Sequence, residues 1–248
     1  MSEGLLNNEY AELREKKRSH IFRYKLRAWA AVSSLKRLYG QSSGLSLLDV
    51  GCAEGRALKY INEIFPGNDL IGVEASKELV SAGRKLYPDL NIFEGYAEDI
   101  ATTAGISREV DVALALAVLE HVPDPLLFLK SVGKVLRDDG CLIASTPVPF
   151  WDEIAVKAGL LDDGQHIEHL DQKRLISLFR EAGFEVLKYK RFMWGPWGVL
   201  PCLGILPSMK LTVWVDSVLS NIPGVNWLCV NQLVVARKVD VMTHKAVK

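Results

Sequence analysis

The sequence predicts an α/β fold built on a doubly wound, mostly parallel seven-stranded sheet, and two observations support this prediction. Seven short apolar runs, each typical of a buried strand, alternate with segments whose apolar residues recur at helical spacing. Short connections rich in glycine, proline and aspartate separate most of these runs. Such a βαβ succession places parallel strands side by side with right-handed crossovers. We therefore expect residues 45–238 to form one domain.

Residues 1–44 are predicted to be a basic helical extension that precedes the sheet. Phe22, Leu26 and Trp29 recur at helical spacing, and glycine and serine residues follow at positions 40–44. Residues 1–40 contain nine Lys or Arg and four Asp or Glu, whereas residues 41–248 contain 21 and 26. A lid over a binding site and a solvated basic helix are two interpretations that the sequence leaves open, and attraction to an anionic membrane surface is a third.

The remaining elements follow in order along the chain. Ser76 is a predicted N-cap, Pro125 a predicted helix start and Gly183 a predicted C-terminal cap. Two insertions interrupt the later part of the sheet, and because binding specificity is carried by loops, we expect both to shape a ligand site. The predicted strands are 47–50, 69–73, 90–93, 111–116, 141–146, 184–190 and 227–237, the helices 8–39, 56–65, 76–88, 125–136 and 171–182, the insertions 147–170 and 192–226, and the tail 239–248.

The turn after the first strand is the most informative segment, and it reads Gly51-Cys52-Ala53-Glu54-Gly55. Its small residues let the backbone approach a ligand closely, and ligands of open α/β sheets bind at the carboxyl ends of strands. The spacing is neither the Gly-x-Gly-x-x-Gly of dinucleotide binders nor the Gly-x-x-x-x-Gly-Lys of phosphate loops. The turn therefore favours a nucleoside ligand without a polyphosphate, and tight strand–helix packing is the alternative.

Acidic residues follow the next two strands. Glu74 ends the second strand 23 positions after Gly51, near the offset of about 20 residues at which a carboxylate accepts ribose hydroxyls. Glu98 and Asp99 follow the third strand. The residues therefore predict a ribose contact from Glu74, and a solvated carboxylate at the start of the next helix is the alternative.

These segments, together with Leu119-Glu120-His121-Val122-Pro123-Asp124-Pro125, resemble the class I S-adenosylmethionine-dependent methyltransferases, especially the small-molecule branch that includes the ubiquinone O-methyltransferases. The resemblance spans roughly residues 45–190. It implies a Rossmann-like sheet whose last two strands are antiparallel, and S-adenosylmethionine as the cofactor. It also implies that Asp99 bonds the adenine amino group, with Glu98 as the competing candidate, and that Asp49 faces the methionine amine. The implied cofactor contacts are Asp49, Gly51, Ala53, Gly55, Glu74, Ala75, Glu98, Asp99, Ala115 and Leu116.

Three histidines are candidates for a catalytic general base. His121 follows the fourth strand, and His166 and His169 precede the helix at 171–182. A histidine with a near-neutral pKa suits removal of a proton from an acceptor hydroxyl, and a structural hydrogen bond is the alternative for each. His166 and His169 lie close to Glu168, but that group lacks the further ligands of a zinc site, so no metal is predicted.

The sequence and the resemblance together predict methyl transfer to a small molecule. The main prediction is O-methylation by in-line transfer. Transfer to carbon or nitrogen of a lipid, quinone or glycan-linked acceptor is one alternative, and a protein that holds the cofactor without turnover is another. Zero net charge argues against a nucleic-acid partner. The four cysteines lack CxxC spacing, which is typical of a reduced, cytoplasmic protein.

Residues 192–209 carry no charge, which is unusual for a surface segment. Three prolines and three glycines in this segment argue against an uninterrupted membrane-spanning helix. Three interpretations stay open: a lid over an apolar acceptor, a peripheral membrane contact, and packing against the sheet or a second subunit. The sequence does not predict the oligomeric state.

Overall fold

A computed structural model describes residues 18–41, 43–103, 106, 109–157, 170–200, 204–205 and 207–239. Over these residues the chain forms a seven-stranded sheet with the order β3-β2-β1-β4-β5-β7-β6. The strands from β1 to β5 pair in parallel, and β7 is antiparallel to both of its neighbours. The predicted fold class is therefore confirmed. The strands are β1 Ser46–Val50, β2 Asp69–Glu74, β3 Asn91–Glu94, β4 Val110–Leu116, β5 Leu136–Pro147, β6 Phe184–Trp194 and β7 Cys229–Lys238.

The described helices begin and end at residues whose local chemistry explains the boundary. The Ser76 hydroxyl accepts a hydrogen bond from the Leu79 N–H, Pro125 opens the fourth helix, and Gly183 follows the sixth with a φ of 88°. The α-helices are α1 Arg18–Tyr39, α2 Arg56–Ile64, α3 Lys77–Leu86, α4 Pro125–Val135, α5 Pro149–Lys157, α6 Gln172–Glu181, α7 Pro196–Val199 and α8 Met209–Leu219; short 3-10 helices cover Ala97–Thr102, Leu119–His121 and Val225–Leu228.

Helices cover both faces of the sheet, so the protein has two apolar layers. One layer contains Phe22 and Leu26 of α1 together with Leu114 of β4. The other contains Phe128 of α4 and Ala113 of β4. Successive residues of β4 thus point to opposite layers, as the strand period requires. The first layer holds α1 against the sheet that carries the carboxyl ends of β1, β2 and β4.

Three predicted boundaries are wrong. β6 runs to Trp194 rather than ending at residue 190, so the first three residues of the insertion predicted at 192–226 belong to that strand. Residues 138–140 do not precede the fifth strand, because β5 already begins at Leu136 opposite Val110. The pairing then jumps to Cys141 opposite Val112, and the extra residues bulge at Asp139, whose φ is 59°. Trp227 lies in the 3-10 helix before β7 rather than in that strand. The predicted N-terminal helix is confirmed from Arg18, and residues 8–17 lie outside the described part.

Candidate functional site

The candidate site lies where the direction of strand addition reverses in the sheet. Asp49 of β1 is in register with Gly72 of β2 on one side and with Leu114 of β4 on the other. The chain continues from β1 to β2 and later returns to β4 across β1. In doubly wound sheets, ligands bind in the crevice at the carboxyl ends of strands at such a reversal.

The turn after β1 occupies this position and has an unusual backbone. Gly51, Ala53 and Gly55 all have positive φ values, of 76°, 49° and 80°. The N–H groups of Gly51 and Cys52 both donate to the carbonyl of Val73 at the end of β2, at 2.8 and 3.1 Å. Glycine adopts a left-handed backbone conformation readily, whereas residues with a Cβ adopt it at a cost. The predicted small-residue turn is therefore a tightly wound loop attached to the neighbouring strand.

The two glycines of the turn are also required by packing. A Cβ on Gly51 would lie 2.6 Å from Cγ2 of Val118, and a Cβ on Gly55 would lie 2.7 Å from Cδ1 of Ile92. Gly72 of β2 similarly faces Cys52, whose Sγ would be 2.6 Å from an added Cβ. The packing interpretation of the turn is thus supported, and its contact with a cofactor stays a prediction.

Glu74 holds the turn from the end of β2. It is buried, with 7% of its surface exposed. One carboxylate oxygen accepts the Ala53 N–H at 2.8 Å and the other accepts the Ser76 N–H at 2.9 Å. The carboxylate is therefore not solvated, but it does bond the backbone at the start of the next helix, as the alternative interpretation expected. Glu74 thus links the turn to the start of the next helix, and its contact with ribose stays a prediction. Ala75 follows directly and is half-buried.

The predicted adenine contacts lie in the 3-10 helix after β3. The Gly95 N–H donates to the Glu74 carbonyl at 3.0 Å, which brings this segment beside the end of β2. Glu98 is half-buried and Asp99 is exposed. Tyr96, which directly precedes this 3-10 helix, is also exposed.

The end of β4 forms the opposite wall. Ala115 is buried and Leu116 is half-buried, and the chain then turns at Ala117, whose φ is 63°. The next residue, Val118, is the one that faces Gly51. His121 is half-buried in the following 3-10 helix, with its N–H donating to the Val118 carbonyl at 2.8 Å. The structure therefore brings His121 to the same edge as the turn, while His166 and His169 lie outside the described residues.

A family model described as a methyltransferase domain matches residues 15–189. The chain belongs to the methyltransferase domain family. This membership confirms the resemblance on which the sequence analysis relied.

Two relatives and one solved structure are similar to this methyltransferase domain. A probable S-adenosylmethionine-dependent methyltransferase of Mycolicibacterium smegmatis is 28% identical over 153 residues, which cover 61% of this chain and 56% of the relative. A ubiquinone biosynthesis O-methyltransferase of Cereibacter sphaeroides is 28% identical over 166 residues, covering 62% and 65%. The chain thus spans between about half and two thirds of these relatives. The solved plantazolicin methyltransferase BpumL in complex with SAH shares the fold, with a TM-score of 0.68, 16% identity and coverage of 96% and 93%.

Buried carboxylates make the turn of this methyltransferase domain electronegative. Asp49 and Glu54 are almost fully buried, as is Glu74. Arg56 compensates Glu54 through an ion pair of 2.6 Å between Nε and Oε1. Burial raises the pKa of the Cys52 thiol, and the carboxylates of Asp49 and Glu74 raise it further, so the thiol stays protonated. The sequence did not indicate the ion pair between Arg56 and Glu54, because Arg56 has the sequence context of an ordinary solvated helix residue.

Gln232 of β7 is a second group that the sequence analysis missed. Its Nε2 lies 3.0 Å from the Thr146 hydroxyl, 3.0 Å from the Pro147 carbonyl and 2.6 Å from the Leu170 carbonyl. Tyr189 donates its hydroxyl proton to Gln232 Oε1 at 3.0 Å. One buried amide therefore holds both ends of the predicted insertion 147–170. A polar residue inside the apolar run of β7 was the available signal.

Two further findings concern metal binding and membrane-spanning helices. In the part of the chain that the structure describes, no group of three or more His, Cys, Asp or Glu side chains is arranged to hold a metal ion. Within the same residues, no helix combines the length and apolar character needed to cross a membrane.

Proposed function

We propose that this chain is an S-adenosylmethionine-dependent methyltransferase that transfers a methyl group to an oxygen atom of a small molecule. The observation that carries the proposal is the left-handed turn Gly51–Gly55, closed by Glu74 at the reversal point of the sheet. Family membership and the shared fold support it.

The electronegative turn suits the proposed cofactor. S-adenosylmethionine carries a positive sulfonium and a positive amine, and Asp49 and Glu74 are carboxylates at the strand ends that would face these groups and the ribose. Methyl transfer from a sulfonium is an in-line displacement, so the protein mainly aligns donor and acceptor and excludes water. The chemistry therefore needs no metal and no enzyme nucleophile, only a site to which both molecules bind.

The acceptor would bind beyond the end of β4. Leu116 and Val118 offer apolar contacts there, and His121 follows in the 3-10 helix. For an acceptor hydroxyl, His121 would take the proton as the methyl group moves from sulfur to oxygen. The O-directed reading is supported by the 28% identity to ubiquinone biosynthesis O-methyltransferases.

The ribose assignment is tested with a thermodynamic cycle that separates the two roles of Glu74. Glu74→Ala removes its bonds to the turn as well as any bond to ribose, so the mutation by itself does not distinguish them. Titration with S-adenosylhomocysteine and with its 2′-deoxyribose analogue supplies the missing comparison. The wild type should lose about tenfold in affinity for the deoxy analogue, and the variant should bind both ligands equally. Equal binding by the wild type would refute the ribose contact.

Catalysis is tested by transfer of a labelled methyl group from S-adenosylmethionine to phenolic and carboxylic acceptors of increasing apolar character. We expect transfer to an apolar phenol, and we expect His121→Gln to lower kcat by about a hundredfold at unchanged cofactor affinity. Cofactor binding without transfer to any acceptor would contradict the enzymatic reading and favour a binding protein. Full activity of His121→Gln would exclude His121 as the base.

A further inference from the structure

Helix α8 exposes apolar residues on the side that faces away from the protein. Leu211, Trp214 and Val218 are 51%, 64% and 42% exposed, and their spacing places them on one face of the helix. Ile222 continues this face just after the helix and is also exposed. A contiguous exposed apolar surface of this kind marks an interaction site more often than an isolated exposed residue does.

The opposite face of α8 buries polar residues. Thr212 is fully buried and its hydroxyl donates to the Ser208 carbonyl at 3.0 Å. Asp216 is 6% exposed, and its carboxylate accepts a hydrogen bond from the backbone N–H of Trp194 at 2.8 Å, which joins the helix to the end of β6. Met209, Val213 and Val215 pack against the core on the inner side as well. Polar and apolar contacts together therefore fix α8 to the protein, while Leu211, Trp214 and Val218 point outward.

Beyond Ile222, whose carbonyl accepts the Val225 and Asn226 backbone N–H groups, the chain leads to Trp227 and an aromatic cluster. Phe150 and Trp151 of α5 lie with their ring centroids 5.2 and 5.1 Å from that of Trp227. The Trp151 indole N–H donates to the Trp227 carbonyl at 2.8 Å, which joins the two elements. We call Phe150, Leu211, Trp214, Val218, Ile222 and Trp227 the apolar surface. Helix α5 begins two residues after the carboxyl end of β5. This surface therefore lies on the side of the sheet where the parallel strands end, which is also the side that carries the site.

The charge of this region selects the kind of partner. Between Phe192 and Gln232 the chain contains two charged residues, Lys210 and Asp216. Asp216 is buried, whereas Lys210 is exposed beside Leu211. The outward face of this stretch thus combines tryptophan and aliphatic side chains with a positive charge, and Glu153 of α5, three residues after Phe150, is an exposed carboxylate near it in the chain. Tryptophan is enriched at membrane–water interfaces, and lysine is attracted to anionic headgroups.

We propose that the apolar surface binds a lipid bilayer containing anionic headgroups, with α8 lying in the interface plane. Leu211, Trp214 and Val218 enter the boundary between headgroups and acyl chains, and Lys210 contacts the headgroups. Docking in this way places the sheet edge with the candidate site beside the bilayer. Access of a lipid-dissolved acceptor to that site additionally rests on the proposed function, whereas the docking itself does not.

The full chain is tested by co-flotation with vesicles of phosphatidylcholine, with and without phosphatidylglycerol. We expect binding that is stronger to the anionic vesicles, and a fall of about tenfold or more in the partition coefficient of the Leu211→Ser/Trp214→Ser double variant. Lys210→Glu should weaken binding to anionic vesicles more than to neutral ones. The matched control is Leu86→Ser, since Leu86 is 46% exposed on α3 at the opposite edge of the sheet.

The same preparations separate this proposal from its rivals. Calorimetric titration with S-adenosylmethionine should give the same affinity for the double variant as for the wild type, which shows that the site is intact and that the two proposals fail independently. Absence of wild-type flotation with either vesicle, or an equal loss in Leu86→Ser, overturns membrane docking. It is also overturned if sedimentation shows a lipid-free dimer that the double variant dissociates, because the apolar surface would then be an interface between two copies.

Discussion

A methyl group added at Gly51 tests how the turn is built. It would lie 2.6 Å from Cγ2 and 2.9 Å from Cγ1 of Val118, on a residue whose φ is 76°. The left-handed backbone costs a residue with a Cβ about 1–2 kcal/mol, and overpacking costs about 1–3 kcal/mol. Together these effects predict that Gly51→Ala lowers the free energy of unfolding by about 2–5 kcal/mol.

Two further variants separate the backbone effect from the steric one. Gly183 has a φ of 88° and nothing within 4 Å of an added Cβ, so Gly183→Ala should cost about 1–2 kcal/mol, the backbone effect by itself. Adding Val118→Ala to Gly51→Ala removes the overlapping methyl groups, and the pair should show a favourable coupling of about 1–3 kcal/mol.

The assay is urea unfolding of the full chain, followed by calorimetric titration of each folded variant with S-adenosylmethionine. Gly51→Ala should also lose cofactor affinity, because Gly51 would lie against the ligand, whereas Gly183→Ala should keep it. Equal destabilisation by the two alanines, without coupling to Val118→Ala, would refute the packing argument. Unchanged affinity in Gly51→Ala would refute the placement of the cofactor.

Three further predictions use buried polar groups. Burial lowers the pKa of Lys190 to about 8, below its unfolded value of about 10.4, so the cost of burying its charge is complete below pH 8 and declines as the pH rises towards 10. Lys190→Met should therefore be more stable than the wild type by about 1–3 kcal/mol near pH 7, with a gap that narrows above pH 8 in urea unfolding. Gln232→Leu should lower stability by about 2 kcal/mol and raise the KM for the acceptor while the cofactor Kd is unchanged; a rise in Kd alone would contradict its role in the insertion. Arg56→Met removes the ion pair with buried Glu54 and should lower stability by about 3 kcal/mol, so a change within 0.5 kcal/mol in urea unfolding would contradict that estimate.

The order of elements could be predicted because local signals agreed with the global fold. Ser76, Pro125 and Gly183 mark helix ends through their own backbone and hydrogen-bonding preferences, and all three do so in the structure. The turn at Gly51–Gly55 was recognisable for the same reason, since small residues at alternate positions match its backbone. The start of β5 was not, because a bulge such as that at Asp139 depends on pairing with a distant strand.

The partners of the site residues depend on contacts between distant parts of the chain. Nothing near Glu74 in the sequence indicates that it bonds the Ala53 N–H, and nothing near Gln232 indicates that it bonds the Leu170 carbonyl. These bonds form because the strands are neighbours in the sheet. Sequence patterns do not predict hydrogen bonds of this kind. The bonds nevertheless determine which predicted site residues also stabilise the fold.

The uncharged segment 192–209 shows the same limit. Trp197 is buried in the core beneath α1, which agrees with the packing interpretation for that residue. The large exposed apolar residues Leu211 and Trp214 lie just beyond the segment. Their outward orientation follows from the burial of Thr212 and Asp216 on the other face of α8. Helical periodicity groups residues into faces, but it does not predict that Leu211 and Trp214 point outward while Thr212 and Asp216 are buried.

Calorimetric titration of the purified chain with S-adenosylmethionine, and separately with NADH, tests the central claim most directly. We expect one S-adenosylmethionine bound per chain and no binding of NADH, because the turn Gly51–Gly55 lacks the dinucleotide spacing. Binding of NADH, or no binding of S-adenosylmethionine to a protein that unfolds cooperatively, would contradict it. In that case the left-handed turn and Glu74 would be packing devices alone.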